Sequence, residues 1–135
     1  IPAIAACAAV PSALANEHPD AAILSAWATV CAAYREFNEM PVALQSDNGL
    51  DAPEEARLWA IIEGAEHVIE TAKARTIEGV EIQIWHALDG ALSLQPDTDA
   101  ARARNVAYFN ARRDELNYQT RVLISALTSL QAMEA

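Results

Sequence analysis

The sequence predicts an all-α fold, an antiparallel bundle of four to five helices behind an apolar N-terminal arm. Three observations predict it. Only four glycines occur in 135 residues, β-branched residues never alternate with polar ones over a strand's length, and large apolar residues recur at three- and four-residue spacing. The hydrophobic fraction of 53% is inflated by 30 alanines, which favour helix and fill a core weakly. No run of about 18 large apolar residues occurs, so no transmembrane span is expected. A chain of this length fits one domain, read as residues 19–135 behind an arm of residues 1–18.

The arm, Ile1 to Ala15, is apolar and uncharged, and polar residues Asn16 to Asp20 follow it. It resembles the apolar region of a secretory signal, with Ala13-Leu14-Ala15 as an A-x-A box. It also suits an arm docked on its own bundle or on a neighbour, or a segment foreign to the natural chain. Pro2 and Pro11 argue against one continuous helix there. A cytoplasmic location is expected, or a periplasmic one if residues 1–15 are a signal remnant.

The first helix is expected from Pro19, a residue suited to a first helical turn, with His18 outside it and Asp20 favourable to the dipole. Its apolar stripe is Ile23, Trp27, Val30, Tyr34 and Phe37, thickened by Leu24 and Cys31. Met40-Pro41 closes it, and Gln45 to Gly49 reads as a loop. Asp51-Ala52-Pro53-Glu54 has the form of a capping box, so Asp51 is the expected N-cap of the second helix, whose stripe is Leu58, Ile61, Ile62, Ala65, Ile69 and Ala72. Lys73 to Arg75 complement its C-terminal dipole. Thr76 then caps a third helix, with Glu78 in its first turn, so the intervening connection is short and turns sharply.

That third helix carries Ile77, Val80, Ile84, Ala87, Leu88 and Ala91 on one face and Ile82 and Trp85 on another. Apolar residues on two faces suggest a central helix or one covered by a partner. Ser93 to Asp99 reads as a loop. From Ala100 the helical pattern runs nearly to the end, with a break expected between Asp114 and Asn117 and a new helix from Tyr118.

The net charge of −10 argues against nucleic-acid binding, which depends on Lys and Arg replacing counterions. The charge is unevenly spread. Residues 1–100 hold 16 acids against four basic residues, whereas residues 101–135 hold three acids and five arginines. The two cysteines, Cys7 and Cys31, have no metal-ligand spacing and read as small buried residues, with a disulfide as the alternative.

Candidate chemistry is sparse. Glu63, His67 and Glu70 share a helix face, the arrangement of carboxylate-and-His metal sites in bundles. Residue 64 is Gly, however, where a Glu-x-x-His motif needs Glu, and His67 lies away from the apolar stripe, so a solvated acidic face is the competing reading. Glu81 and His86 are five apart and point differently. No serine sits in a G-x-S-x-G elbow and no Gly-rich phosphate loop occurs, so no catalytic residue and no cofactor is assigned. Arg102, Arg104, Arg112, Arg113 and Arg121, interleaved with Tyr108, Phe109 and Tyr118, form the basic-aromatic stretch. It reads as arginines paired with neighbouring acidic helices, or as a surface for an acidic protein.

His18-Pro19-Asp20-Ala21-Ala22-Ile23-Leu24, the acidic approach to Leu58-Trp59, and Thr76-Ile77-Glu78-Gly79 together resemble a group of small α-helical proteins common in α-proteobacterial genomes and their prophages. The resemblance covers about residues 18–92 and implies the helical fold, with a Thr-x-x-Gly step between the second and third helices. It implies no activity. The Pro often found before that step is replaced here by Lys73-Ala74-Arg75.

The expected function is therefore a non-enzymatic helical interaction or structural protein that docks on a protein partner or on itself. Ile82, Trp85, Arg102, Arg104, Tyr108, Arg112 and Arg113 are its candidate partner-binding residues. The alternatives are a metal-binding helical-bundle enzyme built on Glu63, His67 and Glu70, and an exported envelope accessory protein.

Overall fold

The computed structural model describes residues 18–41 and 52–135. The apolar arm, Cys7, the loop at Gln45 to Gly49 and the expected cap Asp51 lie outside the described residues. Six α-helices are present among the described residues: α1 (Ala21–Asn38), α2 (Pro53–Thr71), α3 (Ile77–Ala91), α4 (Gln95–Arg102), α5 (Val106–Asn110) and α6 (Tyr118–Glu134). A 3-10 turn, Arg113–Glu115, stands before α6. The all-α prediction holds, and no described residue is in a strand.

The stripe expected on α1 is the stripe it buries. Ile23, Trp27, Val30 and Cys31 enter a core completed by Ile69 of α2, Ile82, Trp85 and Leu88 of α3, Phe109 of α5, and Ile124 and Leu127 of α6. A second cluster joins Ala33 and Met40 to Leu58 and Ile62, with Phe37 and Trp59 edge-to-face at 5.5 Å. Each large side chain withdrawn from water in this way contributes about 1.5–3 kcal/mol. On α2 the stripe is narrower than expected, since Ile61 is exposed.

Helix α3 is central, packing on α1, α2, α4 and α6. Ile82 and Trp85, expected at a partner interface, face the core together with Leu88, while Ile77, Val80, Ala87 and Ala91 face outward and Ile84 is half-buried. Residues 95–117 depart from expectation too. Helix α4 begins at Gln95, with Pro96 in its first turn, and the chain from Ala100 is interrupted twice before Tyr118. Arg104 makes the first interruption, adopting a left-handed φ of 55°.

The start of α1 is also corrected. Pro19 and Asp20 precede the helix, and Asp20 makes no side-chain bond to its own helix. Its carboxylate reaches the α2–α3 connection instead, accepting from the Arg75 amide at 2.9 Å, the Thr76 amide at 2.8 Å and the Thr76 hydroxyl at 2.5 Å. Burial works to raise its pKa, but these hydrogen bonds win and hold it below the ordinary carboxylate value. Thr76 Oγ1 in turn accepts from the Gly79 amide at 3.1 Å, the N-cap expected from sequence. Gly79 is there because nothing larger fits: a Cβ would lie 2.1 Å from Asp20 Oδ2. The Asp20 amide donates to His18 Nδ1 at 3.0 Å, and His18 Nε2 sits 3.5 Å from Glu78. The two sequence motifs at residues 18–20 and 76–79 are thus one structural joint.

Gln83 completes the joint from α3, donating to the Ile69 and Ala72 carbonyls at 2.9 and 2.8 Å. It satisfies acceptors that the end of α2 leaves open. No basic residue lies in the last turn of α2, and Lys73 to Arg75 belong to the connection.

Candidate functional site

Glu63, His67 and Glu70 are all exposed on the outer side of α2. No group of three or more potential metal ligands comes together among the described residues. Ile82 and Trp85, expected at a partner interface, are 1% and 0% exposed and belong to the core.

The basic-aromatic stretch turns largely inward. Arg102 Nε bonds Asp89 Oδ2 at 3.2 Å, and its guanidinium lies 3.8 Å over the Tyr34 ring. Burial pushes the Asp89 carboxyl up, and the Arg102 charge offsets this only in part. Arg104 pairs with Glu81 Oε2 and, at 3.2 Å, with Glu78 Oε1. Glu81 is fully buried, its Oε1 accepting from Trp85 Nε1 at 2.9 Å and Gln131 Nε2 at 2.7 Å. Burial works to raise the Glu81 pKa, but the hydrogen bonds from Arg104, Gln131 and Trp85 hold it below the usual range. Glu134 goes the other way, raised by burial and by the charge of Glu81.

Tyr108, Arg112 and Arg113 stay nearer the surface. The Tyr108 hydroxyl donates to Asp97 Oδ1 at 2.7 Å, and Arg112 donates to that hydroxyl at 2.6 Å while stacking over its ring. Arg113 donates to Ser125 Oγ at 2.7 Å. His86 lies against Trp27, with Nε2 3.4 Å from Glu66 Oε2. Its Nδ1 and Asp89 Oδ1, one turn further along α3, are buried without a hydrogen-bond partner.

A surface that the sequence reading missed lies on α6. Asn117 caps the helix by accepting from the Thr120 amide at 2.8 Å, so the expected break is where the structure has it. Thr120, Ile124 and Leu127 face the core. At 100° per residue, Tyr118, Val122, Ser125, Ala126, Ser129 and Met133 share an arc of about 100° on the opposite side. All six are exposed, Tyr118 by 69%, Val122 by 50% and Met133 by 65%. The strip contains no charged residue, and Arg113 borders it through Ser125. The signal in the sequence was that spacing of large residues over a helix whose charges are Arg121 and Glu134.

The groove between α1 and α2 is the contrasting surface. It is open, and Ala22, Ala26, Ile61, Gly64 and Ala65 are among the residues that line it. Thr29, which also lines it, spends its hydroxyl on the Ser25 carbonyl. No titratable group lines the groove. No described helix is long and apolar enough to cross a membrane. No family model, curated protein or solved structure matches this chain.

Proposed function

We propose that this chain is a non-catalytic helical interaction protein that docks through the outer face of α6. One observation carries the reading: Tyr118, Val122 and Met133 stand half or more exposed in line on a helix whose opposite face is already buried in the core. An apolar residue exposed singly is ordinary, but an aligned, uncharged strip is what a partner helix or groove takes up. The bundle serves as its rigid support, since Ile124 and Leu127 fix the rotation of α6 about its axis.

A photo-crosslinking residue at position 122, in the chain expressed in its native source, tests this. Protein adducts are expected there and not from the same residue at position 63, on the exposed acidic side of α2. Absence of adducts at 122 would overturn the reading.

A further inference from the structure

We propose that His86 Nδ1 and Asp89 Oδ1 hold one proton between them, and that this proton tightens the junction of α1, α2, α3 and α4 as the solution becomes acidic. The two residues are three apart on α3, a spacing at which helix side chains meet. Both atoms are buried without a hydrogen-bond partner. The other polar atom of each side chain is already engaged. His86 Nε2 lies 3.4 Å from Glu66 Oε2 of α2, and Asp89 Oδ2 accepts from Arg102 Nε of α4 at 3.2 Å.

Counting protons carries the inference. A neutral His86 that turns its N–H toward Glu66 has only a lone pair left at Nδ1, and an ionised Asp89 has only acceptors. Two acceptors would then stand buried one turn apart with no donor, which is a costly arrangement. One added proton makes them a hydrogen bond. The bond is the same whether it is drawn as a carboxyl donating to Nδ1 or as an imidazolium donating to Oδ1, so the proton belongs to the pair.

The surroundings join four helices at this point. Trp27 of α1 meets the His86 ring edge-on, and Tyr34 of α1 lies 3.8 Å under the Arg102 guanidinium. Glu66 comes from α2, and Arg102 and Asp99 from α4. Burial raises the Asp89 pKa by more than the charge and hydrogen bond of Arg102 and the charge of His86 lower it, and the charge of Asp99 adds to the rise. Burial also raises the Tyr34 pKa, helped by the charges of Glu66 and Asp89. The sign follows from the raised Asp89 value. The stabilisation is complete below the ordinary carboxylate value and is lost as pH rises through the folded one. It runs opposite to that of Asp20 and Glu81, whose values are lowered.

Asp89→Asn in the full chain tests this. Arg102 Nε needs an acceptor, so it orients the new amide with its oxygen toward Arg102 and its NH2 toward His86 Nδ1. The amide then donates to His86 with no added proton. Urea unfolding across the acid-to-neutral range is read as the ratio of unfolding constants, parent over variant, because the other carboxylates titrate in both. That ratio should rise with pH, by up to about tenfold per unit. In the unaltered chain, the NMR shifts of the Asp89 carboxyl carbon and the His86 ring nitrogens should move together at one pH. A ratio that stays flat, as a water bridging the two atoms would give, overturns the proposal. So do separate titrations of the two side chains, a result that does not depend on the variant folding.

Discussion

Helices α3 and α6 are alike in sequence, each carrying apolar residues around more than one face, and they meet opposite fates. Helix α3 holds Glu81 and Asp89, which by composition mark a solvent side, yet both are buried. Helix α6 is almost free of charge, yet Tyr118, Val122 and Met133 are exposed. The difference lies in what stands opposite. Arg102 and Arg104 are delivered to α3 by the following segment, so its acids can leave water with a partner in place. Nothing among the described residues covers the outer strip of α6.

The contrast can be broken hardest at Arg104. Replacing it with Ala leaves Glu81 buried and without its countercharge, a loss of about 3–5 kcal/mol, read as a fall in the urea midpoint. The left-handed φ of Arg104 returns some of this on truncation only if the new residue is Gly, so Arg104→Gly should be the milder variant. A pair of substitutions at the helix starts sharpens the comparison. Gly79→Ala drives a methyl into the Asp20 carboxylate and should cost about 1–3 kcal/mol, whereas Asn117→Ala on α6 removes one cap, about 1 kcal/mol. Equal losses would mean that the Asp20 joint yields easily.

Acid titration separates the helices next. Asp20 and Glu81 have folded pKa values held below their unfolded ones, so the stability they provide is present above the ordinary carboxylate range and is lost as pH falls through the folded values. Glu134, near the end of α6, is raised, so it costs stability as pH climbs through its folded value. Glu134→Gln should therefore raise the unfolding free energy at neutral pH, by well under about 1 kcal/mol for so exposed a group, and leave it unchanged near pH 3, as read from urea midpoints at the two pH values. The smallest effect belongs to Val122→Asp, which in dilute solution should stay within about 0.5 kcal/mol of the parent.

Local chemistry was legible in the sequence, and chemistry between distant segments was not. The caps at Thr76 and Asn117 could be read because the side chain and the amide it serves are three residues apart. So could the α1 stripe, whose period is set by the helix itself. Asp20 was read as a dipole partner for its own helix because its real partners are 55 and 56 residues away. Ile82 and Trp85 were expected at a partner interface and not in the core for a similar reason, since Glu81 and Asp89 look solvated until Arg104 and Arg102 are folded against them. A last helix from Tyr118 was expected, but helical periodicity alone does not say that Ile124 and Leu127 take the core and leave Val122 and Met133 outside.

The fit of Gly79 against Asp20 has a consequence for how this fold can vary. With a Cβ at position 79 only 2.1 Å from the carboxylate, the two positions cannot drift independently. A sequence that keeps this joint but places Ala at 79 must shorten or withdraw the side chain at 20, and must then find another acceptor for the amides at 75 and 76. Asp20, Thr76 and Gly79 should therefore behave as one inherited unit, exchanged together or retained together, and a lineage that abandons one of them marks where the turn between α2 and α3 has been rebuilt.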